Sequence, residues 1–333
     1  MKKFVENFTQ QFEDAKNLIA KIDLQKIKSF RNIIVSGMGG SGIGASIVGE
    51  MIHGELKIPY FVNKGYFLPN WADKNSLVII NSYSGNTEET INVLQEASQK
   101  NLNIICIASG GNIIEMAKQL NIPYLILPSG IPPRASLGYS IVFLLFVLQS
   151  QKLISKKALS QVYKSTLLIQ KQQKKIIDYA EKLAGQLFDK IPVLYASDAY
   201  DSVLVRLRQQ INENGKQLCW HHVIPEMNHN EIVGWRQNDN HLAVLFLRDH
   251  EDYMNIQHRI DINKETVKKY TDTVIEIFAM GKNKIEKMMY LIHLGDWLTC
   301  FLAEKRNFDS VEVKVIDELK AALVQRRNAQ QPV

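Results

Sequence analysis

Cysteine is scarce in this chain. Cys106, Cys219 and Cys300 lie far apart, with no C-x-x-C pair and no even framework for disulfides. That argues against a disulfide-stapled secreted domain. It reads as a reducing, cytoplasmic setting in which the three serve as small apolar residues. Long apolar runs are missing too. The most apolar stretch, Ile141 to Leu148, has under half of the ~18 residues that a membrane span needs. It is expected as a buried helix or a subunit contact, so no membrane association is expected. Met1 to Phe8 is amphipathic and lacks the apolar centre of a secretory leader.

Charge of one sign is also in short supply. The 40 basic and 34 acidic residues leave a net charge of +6. This mild excess suits an anionic metabolite and is too diffuse to argue for nucleic acid. The densest basic patch, Lys171 to Lys175, falls on an expected helix and reads as a solvated face. Neither end carries a helix-turn-helix segment or a basic recognition helix. What remains, 46% hydrophobic and 22% charged over 333 residues, is an ordinary globular composition with length for about two domains.

Strand-like and helical patterns alternate through the first half. Ile33 to Ser36, Tyr60 to Val62, Leu77 to Asn81, Ile104 to Ala108 and Tyr124 to Leu127 read as strands. That is the rhythm of an α/β fold with a parallel sheet covered on both faces. A polar, helix-prone stretch from Ser150 to about Lys190 then carries the chain onward. Alternation resumes with strands at Ile191 to Ala196, His241 to Leu247 and Val274 to Ile277, and an apolar helix from Ile285 to Leu302 closes the core. The expected division is residues 1–150 and 151–333, the second a smaller copy of the first.

Two turns stand out, because ligands of such sheets sit beyond the carboxyl ends of the strands. After Leu77 to Ile80 comes Asn81-Ser82-Tyr83-Ser84-Gly85-Asn86-Thr87, which opens a helix. Free backbone N–H groups, the positive end of a helix dipole and three hydroxyls together suit a phosphate. No lysine sits there, so a nucleoside-triphosphate loop is not indicated. A sugar monophosphate held by neutral donors fits better. Upstream, Gly37, Gly39 and Gly42 fit G-x-G-x-x-G. The acid expected about 20 residues further on for a dinucleotide is absent: Glu55 falls too early, and Tyr60 to Val62 ends in Asn63-Lys64. Glycines that only pack helix on sheet would explain this turn, but not Ser82, Ser84 and Thr87 together.

Three further segments carry chemistry. Arg134, after the Pro132-Pro133 pair, is held on a stiff loop near the ligand edge. It is suited equally to an anionic intermediate or phosphate and to capping loop carbonyls. Glu213, where a helix runs out before Gly215, is of the type used as a general base. Read alone it is first a solvated helix end. His221, His222 and His229, with Glu226 and Glu231, invite zinc, but there is no H-E-x-x-H and Pro225 prevents one helix from aligning them. A single histidine in proton transfer fits better.

Gly37 to Gly42 with Ser82 to Thr87 resembles a sugar isomerase (SIS) domain. With Pro133-Arg134, Asn212-Glu213-Asn214-Gly215-Lys216 and Asn228-His229-Asn230-Glu231 in this order, nearly the full chain resembles the bifunctional phosphoglucose/phosphomannose isomerase family. The resemblance implies two doubly wound parallel-sheet SIS domains, a hexose 6-phosphate substrate, and a homodimer with active sites at the subunit boundary. It implies a phosphate site of Gly40, Ser41, Ser82, Ser84 and Thr87. Glu213 would be the base, Arg134 would stabilise an enediolate, and His229, from the other subunit, would open the sugar ring. Lys320, in Ile316-Asp317-Glu318-Leu319-Lys320, matches the family's C-terminal lysine, with Lys314 its competitor.

The chemistry is consistent with those residues. Aldose–ketose isomerisation moves a proton between C2 and C1. It needs one base, a cation near the enediolate and an acid/base for ring opening. Glucose 6-phosphate and mannose 6-phosphate differ only at C2 and give the same planar enediol, so one site can serve both if it tolerates the C2 hydroxyl in either position. No metal or redox cofactor is required. The alternatives are another sugar-phosphate isomerase or aldolase-like enzyme on the same domains, or a non-catalytic sugar-phosphate-binding regulator, which would not need Glu213 and His229 together.

Overall fold

A computed structural model describes residues 1–27 and 29–330; residue 28 and residues 331–333, the end of the expected second domain, lie outside it. Two short helices, α1 (Lys2–Glu6) and α2 (Phe8–Ile19), precede the first sheet. Strand β1 (Asn32–Ser36) leads into α3 (Gly39–Ile52), followed by β2 (Tyr60–Asn63) and β3 (Ser76–Asn81). Helix α4 (Glu88–Gln99), β4 (Asn103–Ala108), α5 (Gly111–Gln119) and β5 (Tyr124–Ile126) complete the unit. All pairings are parallel, in the order β2-β1-β3-β4-β5. This is a doubly wound order whose ligands sit where the winding reverses, between β1 and β3. The strands read from the sequence are all present.

Helix α6 (Leu137–Ser150) is the apolar run, buried along almost its whole length. Helix α7 (Lys157–Leu187) is the polar connector, a single helix of 31 residues. Lys171, Lys174 and Lys175 are exposed on it. The second unit follows: β6 (Ile191–Ser197), α8 (Asp201–Glu213), β7 (Trp220–Ile224), β8 (Leu242–Arg248), α9 (Met254–Val267), β9 (Thr273–Phe278) and α10 (Lys284–Lys305). Its parallel order, β7-β6-β8-β9, repeats the first four positions of the first sheet. The last described element is α11 (Lys314–Gln330), exposed over residues 314–326. Among the described residues no helix is long and apolar enough to cross a membrane.

Strand alternation sends side chains to opposite faces, and the burial follows it. Ile33, Val35, Leu77 and Ile79 point one way, into a core shared with Leu194, Ala196, Leu245 and Leu247 of the second sheet. Helices α2, α3, α6, α7, α8 and α10 fill the space between the sheets, with α7 and α10 packed along each other. Ile34, Val78 and Ile80 point the other way, under α4 and α5. Val193, Val244 and Phe246 do the same under α9. The two units are therefore joined by one continuous apolar layer, not a hinge. Cys106 and Cys300 are buried and Cys219 half-buried; burial pushes each thiol up to about 12.

His293 of α10 lies in that layer, stacked on Phe8 at 5.5 Å. Its Nε2 accepts the Trp297 indole N–H at 3.2 Å, and burial pushes the imidazole down to about 3. An unfolded histidine titrates near 6.5. Its burial therefore contributes stability above pH 6.5 that is lost as pH falls from there towards 3. Urea unfolding should show stability falling over this window with a contribution of ~1.4 kcal/mol per pH unit. His293→Phe should remove that contribution; equal pH slopes for variant and wild type would contradict it.

Candidate active site

Both Gly/Ser turns lie at the carboxyl edge of the first sheet. Thr87 caps α4 in an extended conformation. Ser82 is buried and donates to Thr87 Oγ1 at 3.3 Å, while Ser84 is exposed and accepts the Asn86 N–H at 3.2 Å. Gly85 has φ +68°, and a Cβ there would fall 1.8 Å from the Gly110 carbonyl oxygen, so only glycine lets the turn close. Ser41 Oγ accepts the Tyr83 N–H at 3.0 Å, and Asn81 Nδ2 donates to the Ser41 carbonyl at 3.0 Å. The two turns are thus one unit with hydroxyls at its rim. Glu88 and Glu89 add negative charge to the first turn of α4, so neutral donors, not net charge, would hold an anion here.

The start of α3 carries the turn against Arg134. A Cβ on Gly40 would meet the Pro133 carbonyl oxygen at 2.7 Å, so the loop and the helix touch backbone to backbone. Arg134, in a single 3-10 turn from Pro133 to Ala135, is 5% exposed. Nε donates to Asn214 Oδ1 at 2.7 Å, and Nη2 donates to the carbonyls of Ser310 and Val311 at 2.7 and 2.8 Å. Glu213 Oε2 lies 3.8 Å from Nε. Burial lowers the guanidinium's pKa and the Glu213 carboxylate raises it. Of the two sequence readings of Arg134, the grip on loop carbonyls is present, made by a buried guanidinium beside a carboxylate.

Helix α8 positions the acid from below. Arg206 Nη2 donates to the Arg134 carbonyl at 2.8 Å and pairs with Asp296 of α10 at 3.0 Å. Gln210 donates to Asp296 Oδ1 at 2.9 Å, and Asn214 Nδ2 to Thr299 Oγ1 at 3.1 Å. Lys216, at φ +53°, donates to the Glu213 carbonyl at 2.6 Å and to that of Glu312, whose carboxylate lies at 3.4 Å. None of Asn214, Thr299, Asp296 or Lys216 was assigned a role from the sequence. A signal existed: Arg206, Gln210 and Asn214 recur every four residues, which puts them on one helix face.

Gly40, Ser41, Arg134 and Glu213 thus converge within one chain. His229 does not join them. It is exposed in a 3-10 turn, Glu226–His229, beyond the end of β7, with no hydrogen bond to Glu213 or Arg134 among the described residues. Lys320 is exposed on α11, about 9 Å along the helix from Lys314. Lys314 opens α11, its N–H donating to Glu312 Oε2 at 2.9 Å. The histidines of the second half also diverge: His221 faces Asp201 at 3.5 Å, and His222 Nδ1 accepts the Val223 N–H. Among the described residues no group of three or more His, Cys, Asp or Glu could hold a metal ion.

The matching edge of the second sheet is closed. Asp249 accepts from Tyr200 and from Lys287, each at 2.6 Å, and Ser197 donates to Asp252 at 3.0 Å. Where the first unit offers hydroxyls and amides, the second has acids that already hold their partners.

The comparisons with known proteins agree with this layout. A family model described as the SIS domain matches residues 26–128, and one described as the bacterial phospho-glucose isomerase C-terminal SIS domain matches residues 176–323. A protein of Caldicellulosiruptor bescii named bifunctional phosphoglucose/phosphomannose isomerase is 34% identical, over 96% of this chain and 96% of its own. One of the same name from Aquifex aeolicus is 34% identical, over 96% of this chain and 97% of its own. Among solved structures, the C-terminal domain of glucosamine-fructose-6-phosphate aminotransferase from Francisella tularensis superposes with a TM-score of 0.72 at 12% identity, covering 93% of this chain and 97% of that one. It shares the fold.

Asp296 is 4% exposed and Arg206 2%. Removing one partner of such a pair leaves an uncompensated buried charge. Asp296→Ala should therefore destabilise the protein by about 3–5 kcal/mol in chemical denaturation. Arg206→Met combined with Asp296→Leu should lose less than the two single variants summed, the remaining loss coming from the Arg134 carbonyl and Gln210, which lose their partners. A single variant as stable as wild type would contradict the role given to the pair.

Proposed function

The chain belongs to the bifunctional phosphoglucose/phosphomannose isomerase family, and we propose that it interconverts glucose 6-phosphate and mannose 6-phosphate with fructose 6-phosphate through a cis-enediol. The observation that carries this reading is the Glu213–Arg134 pair, 3.8 Å apart and set against the start of α3. The phosphate is held by the hydroxyls of Ser41, Ser82, Ser84 and Thr87 and by free N–H groups of the two turns, with Gly40 giving the close approach. Glu213 takes the proton from C2 of either aldose and returns it to C1. Arg134, whose Nε and Nη2 make the bonds that fix the group among the described residues, turns its Nη1 to the enediolate oxygen. The C2 configuration is lost in the enediol, and one base meets the C2 hydrogen of either epimer when the enediol turns about its C2–C3 bond to present the other face.

Ring opening falls to His229, from the second copy of a homodimer. Two features support this: its exposure, and its separation from the acid–cation pair within one chain. Lys320 completes the site from α11, and Lys320→Ala, not Lys314→Ala, should lose activity. The setting proposed is the cytosol, with no nucleic-acid partner.

Glu213→Gln tests the reading. It should lower both activities by roughly 100- to 10,000-fold in a coupled assay run with chelator. Loss of only one activity would sink the shared base. Mixed under conditions of subunit exchange, Glu213→Gln and His229→Ala should regain activity, because one site of the mixed dimer recovers both groups. Persistent inactivity, with exchange shown independently, would contradict the trans assignment.

A further inference from the structure

Helix α3 is fastened to α8 at both ends. At its start Gly40 touches the loop of Arg134, which bonds Asn214 and takes a bond from Arg206. At its far end Glu50 reaches the opposite end of α8. Oε1 accepts the Ser202 N–H at 2.6 Å and Oε2 accepts the Ser202 hydroxyl at 2.6 Å. That N–H is one of the donors a helix start leaves free, and a carboxylate there complements the dipole. The two helices therefore run antiparallel with a fixing point at each end. The second point lies about 15 Å from Gly40 along α3, well away from the reacting groups.

We propose that Glu50 is a positioning residue: its two bonds to Ser202 fix how far α8 can slide along α3, and so fix the distance from the phosphate turn to Glu213. The proposal rests on the function given above. The glycine turn with Gly40 and Ser41 opens α3 and is tied to the Ser82–Thr87 turn through the Ser41–Tyr83 bond, and Glu213 closes α8, so the span from phosphate to base depends on the relative slide of these two helices. A hexose 6-phosphate has a fixed reach from its phosphorus to C2, and misplacement by about 1 Å can cost 100-fold in rate. The fixing point at Arg134 is made of groups that also meet substrate. The one at Glu50 is independent of it.

The bonds at Glu50 also depend on protonation. Burial pushes this carboxyl up to about 7, against the opposing effect of the Ser202 bonds and of Lys284 at the start of α10, with Asp201 of α8 reinforcing the rise. His53 of α3 and Asp198 line the same 590 Å³ cleft between the two units. A raised acid favours the closed junction below the shifted value. That bias is full below the ordinary 4.5 and is lost as pH rises from there to about 7, because the closed junction must then keep a poorly solvated charge that the open form holds in water.

Three substitutions test this: Glu50→Ala, Glu50→Gln and Ser202→Ala. Glu50→Ala should lower kcat for fructose 6-phosphate by about tenfold or more with little change in KM. Glu50→Gln keeps an acceptor for the N–H and a donor for the hydroxyl oxygen, so it should restore kcat. It should also lack the wild type's loss of kcat as pH rises from 4.5 to about 7. Ser202→Ala, which keeps the amide, should lie between. Hydrogen exchange at the Ser202 amide gives a readout independent of activity: protected in wild type and Gln, unprotected in Ala. Equal protection in all forms overturns the clamp. An exposed amide with wild-type kcat overturns the positioning role. If Glu50→Ala does not fold, identical pH profiles for wild type and Glu50→Gln overturn the proposal. If wild type isomerises neither hexose phosphate while the amide responds as stated, the function fails and the clamp stands.

Discussion

A guanidinium can be buried only if its N–H groups are satisfied, and Arg134 is buried. Its partners come from the end of α8 and from residues 310–311, and its own carbonyl is held by Arg206. Satisfying this one side chain brings together a loop of the first unit, a helix of the second and the segment ahead of α11. Arg206 is buried in turn and needs Asp296. The polar chain therefore runs into the apolar layer between the sheets, where α10 also buries His293 and Thr299. That layer supplies rigidity, and the charges within it supply register.

The two sheets share a winding order and differ in what stands at their carboxyl edges. In the first, glycine allows backbone to approach backbone at Gly40 and Gly85, and the hydroxyls remain at a rim. In the second, Asp249 with Lys287 and Tyr200, and Asp252 with Ser197, fill the equivalent place. One unit keeps an edge suited to an anion. The other has become the support that carries Glu213 to it.

Much of this was legible in the sequence, and the misses have physical causes. The strands of the first sheet are buried on both faces, so their apolar runs stand out between Gly/Ser turns. Strand β7 escaped notice because Trp220–Ile224 is a half-exposed edge strand with two histidines, and no apolar run marks it. The two Gly/Ser turns were readable because their conformation is set by adjacent residues. Glu213 was not: in isolation it is a helix end, and only Arg134, distant in sequence, distinguishes it from a solvated one. Asp296 and Thr299 were hidden inside a helix whose apolar character dominates its reading. The roles proposed for His229 and Lys320 rest on motif alone, because among the described residues neither is bonded to Glu213 or Arg134.

The central claim is that a carboxylate on α8 moves a proton between C2 and C1 of a bound hexose 6-phosphate. Isomerisation in D2O, with chelator present, tests it most directly. Glucose 6-phosphate and mannose 6-phosphate should both yield fructose 6-phosphate carrying deuterium at C1, because a proton held on Glu213 exchanges with solvent during the life of the enediol. Complete transfer of the C2 hydrogen to C1 from either sugar, with no solvent label at any stage of the reaction, would indicate a hydride shift and contradict the account.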